Sequence, residues 1–217
     1  MIKIITVANR KGGAGKSTCA AHFAIEAVNS GLKVILIDLD SQKTLEQWWE
    51  KRKDENPYFA ETTALSSAGL EEKIEVIKEK GFDLCIIDTP GDTSDNSKYG
   101  IQVADLIVIP CKPSSPDLRA IGRTIGMVND YRKPFIFVIT QAISRSTIAL
   151  EAASVLSEFG PLAPSTISNR VSYVNAMSNG SSAGAFDKTA AEELAQIWQC
   201  IKGKLFVKGK NHGKERI

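Results

Sequence analysis

Short apolar runs alternate with segments of helical periodicity along most of the chain. The apolar runs, rich in β-branched residues, cover residues 2–7, 34–38, 84–88, 106–110 and 135–140, with a shorter one near Phe59. Helical patterns begin at Lys16 and cover residues 45–52, 70–80, 117–131, 147–159 and 188–201. Because fully apolar runs are typical of strands buried on both faces, this alternation predicts an α/β fold: a doubly wound, mostly parallel sheet flanked by helices.

The end of the chain differs from the rest in composition. An irregular Pro/Ser stretch and a Gly/Ser segment at 179–184 precede the last helical pattern. From Lys202 onward, six Lys or Arg residues face one acid, Glu215. We therefore expect one globular domain, residues 1–205, followed by a basic C-terminal tail, residues 206–217.

The composition excludes several classes of protein. At 217 residues and 43% hydrophobic content, the chain is large enough to bury the core of one α/β domain. Its 27 basic and 25 acidic residues leave a net charge of +2, which alone predicts neither a nucleic acid nor a membrane partner. The four cysteines form no C-x-x-C pair, which argues against a zinc site or a disulfide framework. No apolar run approaches the roughly 20 residues that span a bilayer, so we expect a cytoplasmic protein without a transmembrane segment.

A glycine-rich loop, K-G-G-A-G-K-S-T at residues 11–18, follows the first strand and opens the first helix. Such a loop lets backbone N–H groups point at the phosphates of a nucleotide, beside the positive end of a helix. Lys16 has the place that reaches the β- and γ-phosphates, and the Ser17 hydroxyl has the place that binds Mg²⁺. The predicted nucleotide-binding residues of the loop are Lys11, Gly12, Gly13, Ala14, Gly15, Lys16, Ser17 and Thr18.

Three aspartates follow two of the predicted strands. Asp38 and Asp40 come at the end of run 34–38, and Asp88 ends run 84–88. The carboxyl ends of parallel strands carry ligand sites, and an acid after the second of these strands is typical of the magnesium-binding aspartate of P-loop ATPases. We expect Asp88 and Ser17 to support Mg²⁺. The alternative for the first two aspartates is that they cap the helix beginning near Thr44.

The loop departs from the ordinary P-loop, since Arg10 stands at its usual first glycine and Lys11 follows. This sequence resembles the deviant Walker A ATPases of the ParA/MinD family, whose loop reads K-G-G-x-G-K-[S/T]. The segment D-L-D-S-Q at 38–42 resembles the family's D-x-D-P-Q, and D-T-P at 88–90 continues the pattern. The proline-rich stretch 110–117 resembles the small plasmid-partition members similar to ParF, and Trp48-Trp49 resembles VirC-like members.

The resemblance implies roles for individual residues. Lys11 would be the signature lysine that reaches the phosphates of a partner subunit, so ATP binding and homodimerisation become one event. The implied catalytic residues are Lys11 and Lys16 on the phosphates and Asp40 on the attacking water. Asp38 would support the magnesium shell through water. Pro113 would line the nucleotide pocket, and Thr140 would contact the adenine together with segment 168–184; plain loop structure is the alternative for these.

The implied function is a slow, partner-stimulated ATPase that segregates plasmid or chromosomal DNA, with ATP and Mg²⁺ as cofactors. Its partners would be a second copy, non-specific DNA of the nucleoid and a ParB-like or ParG-like centromere-binding protein. Two alternatives share the same site. A MinD-like membrane-associated ATPase needs an amphipathic C-terminal helix, whereas segment 204–210 offers only three successive apolar residues. A metabolic P-loop enzyme needs a pocket for a second substrate.

Overall fold

In the computed structural model, the structure describes residues 2–62, 66–92, 94–144 and 146–206. Seven strands form one sheet in the order β3-β2-β4-β1-β5-β6-β7, and every neighbouring pair is parallel. The predicted doubly wound parallel sheet is therefore confirmed. The strands are β1 (Lys3–Val7), β2 (Val34–Asp38), β3 (Tyr58–Phe59), β4 (Leu84–Asp88), β5 (Leu106–Cys111), β6 (Phe135–Ala142) and β7 (Ile167–Ser168).

Eight α-helices cover the sheet in the described part of the chain. They are α1 (Lys16–Asn29), α2 (Thr44–Glu50), α3 (Ser67–Glu79), α4 (Asp95–Val103), α5 (Ser115–Asp130), α6 (Thr147–Phe159), α7 (Val171–Asn179) and α8 (Lys188–Leu205), with a short 3₁₀ turn at Ala183–Ala185. None of these helices is long and apolar enough to cross a membrane.

Side chains alternate between the two faces of each strand, and each face has its own core. On one face, strand residues such as Ile5 and Leu36 pack against α1, α2, α7 and α8. On the other face, residues such as Ile107 pack against α4 to α6, and residues such as Ile37 pack against α3. Helices on both faces explain why the central strands are apolar throughout rather than alternating.

Three elements were not predicted from the pattern: α4, α7 and β7, the last two within the stretch expected to be irregular. Helix α4 buries only Ser97, Gly100 and Ile101, and α7 buries only Tyr173 and Ala176. Each helix has only nine residues, too short a segment for helical periodicity to be distinguished from loop in the sequence. The last helix also extends past the predicted end at 201 to Leu205, while residues 207–217 of the predicted basic tail lie outside the described residues.

The strand register brings the predicted chemistry to one edge of the sheet. Asp38 at the end of β2 lies opposite Asp88 at the end of β4. On its other side, Asp88 lies opposite Val7, where β1 runs into the glycine-rich loop. The loop and the carboxylates therefore converge at the carboxyl edge, where open parallel sheets bind their ligands.

Candidate nucleotide-binding site

The glycine-rich loop adopts backbone conformations that require glycine. Gly13 and Gly15 have φ values of +72° and +91°, in the left-handed region that other residues rarely enter. Gly15 also precedes α1 as its N-cap and contributes no side chain to cap the helix. The first N–H groups of α1 therefore stay available to an anion at the positive end of the helix dipole.

The loop forms one wall of a cleft of about 610 Å³, a size that suits a small ligand. The β2–α2 segment forms the opposite wall through Asp40, Ser41, Gln42 and Thr44, and the β4–α4 segment contributes Gly91 and Asp92. The loop residues in the lining are Gly12, Gly13, Gly15, Lys16, Ser17 and Thr18. The structure thus brings most of the predicted phosphate-binding residues together with Asp40.

Lys16 is the best-positioned cation for a phosphate in this cleft. Its side chain is only 7% exposed, and its Nζ lies 3.4 Å from the carbonyl oxygen of Lys11. Burial lowers the pKa of Lys16, and the opposing field of Asp88 favours its charged form. A bound phosphate would supply the counter-charge at a site already stripped of water.

Asp88 is completely buried, and neither of its carboxylate oxygens has a hydrogen-bond partner among the described residues. Burial raises its pKa to about 8, with the nearby Asp38 adding to the shift. An unpaired buried carboxylate is costly, and a divalent cation with its water shell would satisfy it. The described residues contain no cluster of three or more His, Cys, Asp or Glu side chains that could hold a metal alone. The residues therefore fit a Mg²⁺ whose shell is completed by water and phosphate oxygens.

Asp38 makes the contacts of a helix cap. Its Oδ2 accepts hydrogen bonds from the backbone N–H groups of Leu45 (3.0 Å) and Glu46 (3.1 Å), and its Oδ1 accepts from the N–H of Asp40 (2.9 Å). The capping alternative left open by the sequence is thus the one whose contacts are present for Asp38. Its predicted support of Mg²⁺ stays a prediction.

Asp40 lies in the cleft wall with one oxygen still available. Its Oδ1 accepts a hydrogen bond from the N–H of Gln42 at 2.9 Å, which fixes the turn after β2. The side chain is half-buried, and its charge acts on Lys16 across the cleft. A carboxylate held in this way is suited to orient a water molecule near the phosphate loop.

A second cleft of about 500 Å³ continues from the first, because Gly15, Thr18, Thr44 and Gln141 line both. The predicted Thr140 and residues of segment 168–184 line it; the latter are Ser168, Asn169, Arg170, Tyr173, Val174, Met177 and Ser178. Its lining is more apolar than that of the phosphate cleft, as a nucleoside requires. Pro113 lines neither cleft.

Thr140 and Gln141, at the end of β6, each donate a hydrogen bond to the phosphate loop. The Thr140 hydroxyl donates to the carbonyl of Ala14 at 2.7 Å, and the Gln141 side-chain amide donates to the carbonyl of Gly13 at 3.0 Å. The proton of the Thr140 hydroxyl is therefore engaged with the protein backbone, and only the lone pairs of its oxygen could accept a hydrogen bond from a base. Its predicted contact with the nucleotide stays a prediction.

Lys11 lies at the outer end of the loop and is held by its own subunit. Its Nζ lies 2.8 Å from Oδ2 of Asp117, whose side chain is only 5% exposed. The Ser114 hydroxyl donates to the same carboxylate, and its oxygen also accepts the N–H of Asp117 at the start of α5. Asp117 had no assigned role in the sequence, since an acid in the first turn of a helix is ordinary.

Two more groups of residues at the site give no clear signal in the sequence. Gly91 packs so closely on the loop that a Cβ there would lie 3.0 Å from Gly12 Cα and 3.0 Å from Lys16 Nζ. Glu193 of α8 accepts from the Ser168 hydroxyl (2.6 Å), Arg170 (3.2 Å) and the Tyr173 hydroxyl (3.1 Å), which fixes the far wall of the second cleft. Gly91 directly follows the D-T-P segment, and that position is the one signal that could have indicated it.

The chain matches the model of the CobQ/CobB/MinD/ParA nucleotide-binding domain over residues 5–183. Among curated relatives, the maintenance of carboxysome distribution protein A of Halothiobacillus neapolitanus is 29% identical over 89% of this chain and 93% of its own length. The protein ParA of Rhizobium radiobacter is 27% identical over 79% of this chain and 75% of its own length.

The fold has counterparts among solved structures. A candidate plasmid partition protein from Borrelia burgdorferi B31, solved with bound AMPPNP, superimposes with a TM-score of 0.77. The match covers 94% of this chain and all of the other, at 20% identity. At this identity the likeness concerns the fold alone.

Proposed function

The chain belongs to the CobQ/CobB/MinD/ParA family of nucleotide-binding proteins, and from this membership we propose that it is an ATP-dependent dimerising ATPase that segregates DNA. ATP binds at the loop, two subunits then associate face to face, and hydrolysis separates them. The name of the ParA relative supports DNA as the cargo.

One observation carries the proposal: the loop holds two lysines with different surroundings. Lys16 is buried in its own cleft, whereas the side chain of Lys11 is 36% exposed at the loop's outer end. A phosphate bound in the cleft would use Lys16 of the same subunit. Lys11 remains accessible to a second molecule, as a cation supplied in trans to a phosphoryl-transfer site must be.

The remaining residues divide the work of hydrolysis. The backbone amides of Gly12, Gly13 and Gly15 bind the phosphates, and Asp40 orients the attacking water. Mg²⁺, held by the Ser17 hydroxyl and through water by Asp88, would neutralise phosphate charge. No covalent nucleophile is needed, because positioning and electrostatic stabilisation supply most of the catalysis in phosphoryl transfer.

Non-specific DNA is the proposed binding partner beside the second copy and a ParB-like or ParG-like centromere-binding protein. Lys133 and Lys204 line one shallow depression at the edge of the sheet opposite the cleft, together with Asp105, which is paired with Lys3. Basic side chains there could contact phosphates while the nucleotide face is engaged in a dimer. Of the predicted basic tail, residues 207–217 lie outside the described residues, and their contribution stays a prediction.

A second candidate function is the distribution of a cargo other than DNA. The carboxysome distribution protein of Halothiobacillus neapolitanus matches more of this chain than the ParA relative does, 89% against 79%. The nucleotide switch would be the same, and only the adaptor that links it to the cargo would differ.

DNA retention in the presence of nucleotide tests the proposal. With ATP and Mg²⁺, the protein should retain non-specific duplex DNA in a gel-shift assay, and retention should weaken steeply between low and physiological salt. With ADP or without nucleotide, retention should be several-fold lower. The Lys16→Ala variant is the control: it lacks the lysine that binds the phosphates, so its DNA retention should not increase with ATP. DNA binding that is identical in ATP and ADP, or absent in both, would contradict the proposal.

A further inference from the structure

Lys112, in the turn between β5 and α5, lies against the phosphate loop. A Cβ atom at Gly13 would lie 3.6 Å from its Nζ. Gly13 lines the cleft and Lys112 itself does not, so the ammonium group of Lys112 lies beside the loop, next to the cleft rather than in its lining. Neither the loop motif nor the family pattern quoted for residues 110–117 assigns it a role.

Among the described residues, no carboxylate is paired with the charge of Lys112. Of the ion pairs found within the described residues, none includes Lys112, whereas Lys11 is paired with Asp117 at 2.8 Å. Its side chain is half-buried, so water only partly compensates the ammonium group. A half-buried cation without a counter-charge, beside a loop built for anions, points to an anionic ligand.

The backbone holds Lys112 at a fixed place relative to the loop. Its carbonyl accepts the N–H of Ser114 at 2.8 Å, and the carbonyl of Pro110, two residues earlier, accepts the side-chain amide of Asn9 at 2.7 Å. Asn9 in turn accepts the N–H of Lys11 at 3.0 Å through its Oδ1. The β5–α5 turn and the start of the loop thus form one rigid unit, and only the Lys112 side chain needs to move to reach a phosphate.

We propose that Lys112 is a third phosphate-binding lysine of this site, acting within its own subunit on the terminal phosphate of a nucleoside triphosphate. Lys16 approaches the phosphates from α1, and Lys112 approaches from the β5–α5 turn. While Lys11 is held by Asp117, Lys112 supplies the second positive charge that a triphosphate requires. It thereby favours the triphosphate over the diphosphate before any dimer forms.

This inference rests on the proposed function only in that the site binds ATP, and the experiment separates the two. The variant is Lys112→Met, which keeps most of the aliphatic stem and removes the charge. Binding of fluorescent ATP and ADP analogues is measured with Mg²⁺ at low protein concentration. The same measurement is repeated in a Lys11→Ala background, which removes any trans contribution. Lys78→Met on α3 is the matched control, since Lys78 is a surface lysine paired with Glu75.

We expect Lys112→Met to weaken ATP binding about tenfold, as for a lost charge-assisted hydrogen bond, and ADP binding much less. The loss should persist in the Lys11→Ala background, and Lys112→Arg should restore most of the affinity. Thermal unfolding without nucleotide should be unchanged, which excludes a structural role. ATP and ADP affinities equal to those of Lys78→Met would overturn the inference while leaving the ATPase intact. An equal loss for ATP and ADP would also overturn it, and wild-type protein that binds neither nucleotide would instead contradict the proposed function.

Discussion

Two buried aspartates at neighbouring strand ends face opposite situations. Asp38 accepts three backbone N–H groups, whereas both oxygens of Asp88 lack a partner among the described residues. Both are fully buried, and burial raises the pKa of each. Asp38 therefore stabilises the turn into α2 without a ligand. The unpaired carboxylate of Asp88 instead lowers the free energy of unfolding, and a bound cation would remove this destabilisation.

The raised pKa of Asp88 predicts that stability depends on pH. Because the folded-state pKa of Asp88 is raised to about 8, the folded protein binds a proton that the unfolded chain has already released between about pH 4 and pH 8. Stability without ligands should therefore fall as the pH rises through this window. The Asp88→Asn variant should lack this contribution, so its free energy of unfolding should exceed that of wild type by a few kcal/mol at pH 8 and by much less at pH 4.

Urea unfolding of both proteins without nucleotide or Mg²⁺ measures the difference. Every other titrating group is shared, so the pH dependence of the difference isolates Asp88. A gap that is constant with pH would mean that Asp88 titrates normally and is not the uncompensated acid described here.

Among the elements, the turn that opens α5 holds Lys11 at the outer end of the phosphate loop. Asp117 in the first turn of that helix holds Lys11, and Ser114 caps the helix and binds the same carboxylate. A lysine that must reach a second subunit has to leave this ion pair. The contact therefore opposes dimerisation by an amount set by its strength, which is modest for a partly exposed pair.

Releasing this contact should favour the dimer. Asp117→Asn removes the charge and keeps a side chain of the same shape for Ser114. With AMPPNP and Mg²⁺, we expect the dimer to form at a protein concentration about fivefold lower than in wild type, since the two partly exposed pairs released per dimer, one in each subunit, together contribute on the order of 1 kcal/mol.

The control is the double variant Lys11→Ala/Asp117→Asn. It should show no gain over Lys11→Ala alone, because the effect acts through Lys11. Weaker dimerisation of Asp117→Asn would instead assign the aspartate a direct part in the interface.

Elements were predictable from the sequence where a long enough run of apolar residues follows a clear pattern. Strands β2 and β4 and helix α6 occur at the bounds that the pattern predicts, because each is a run of regularly spaced apolar residues. Helices α4 and α7 were not, because small and polar residues such as Gly100 form their contacts. The same distinction applies to the site. Lys16, Asp40 and Asp88 follow strands directly and converge as predicted, whereas the partner of Lys11 comes from a helix far along the chain.

At the scale of the whole molecule, the nucleotide cleft lies at the carboxyl edge of a seven-stranded parallel sheet with both faces covered. The phosphate loop sits above β1 at the centre of the sheet, between β4 and β5. Lys11 is accessible at this edge, while Lys133 and Lys204 lie at the other. In the proposed function, the end with Lys11 would contact a second subunit and the opposite end would contact DNA.

The central claim is that Lys11 couples nucleotide binding to dimerisation. Sedimentation velocity of wild type and Lys11→Ala, each with AMPPNP and Mg²⁺ and each with ADP, tests it most directly. We expect wild type to be dimeric with AMPPNP and monomeric with ADP, and Lys11→Ala to stay monomeric in both while still binding AMPPNP through Lys16. A Lys11→Ala protein that dimerises with AMPPNP as fully as wild type would contradict the account.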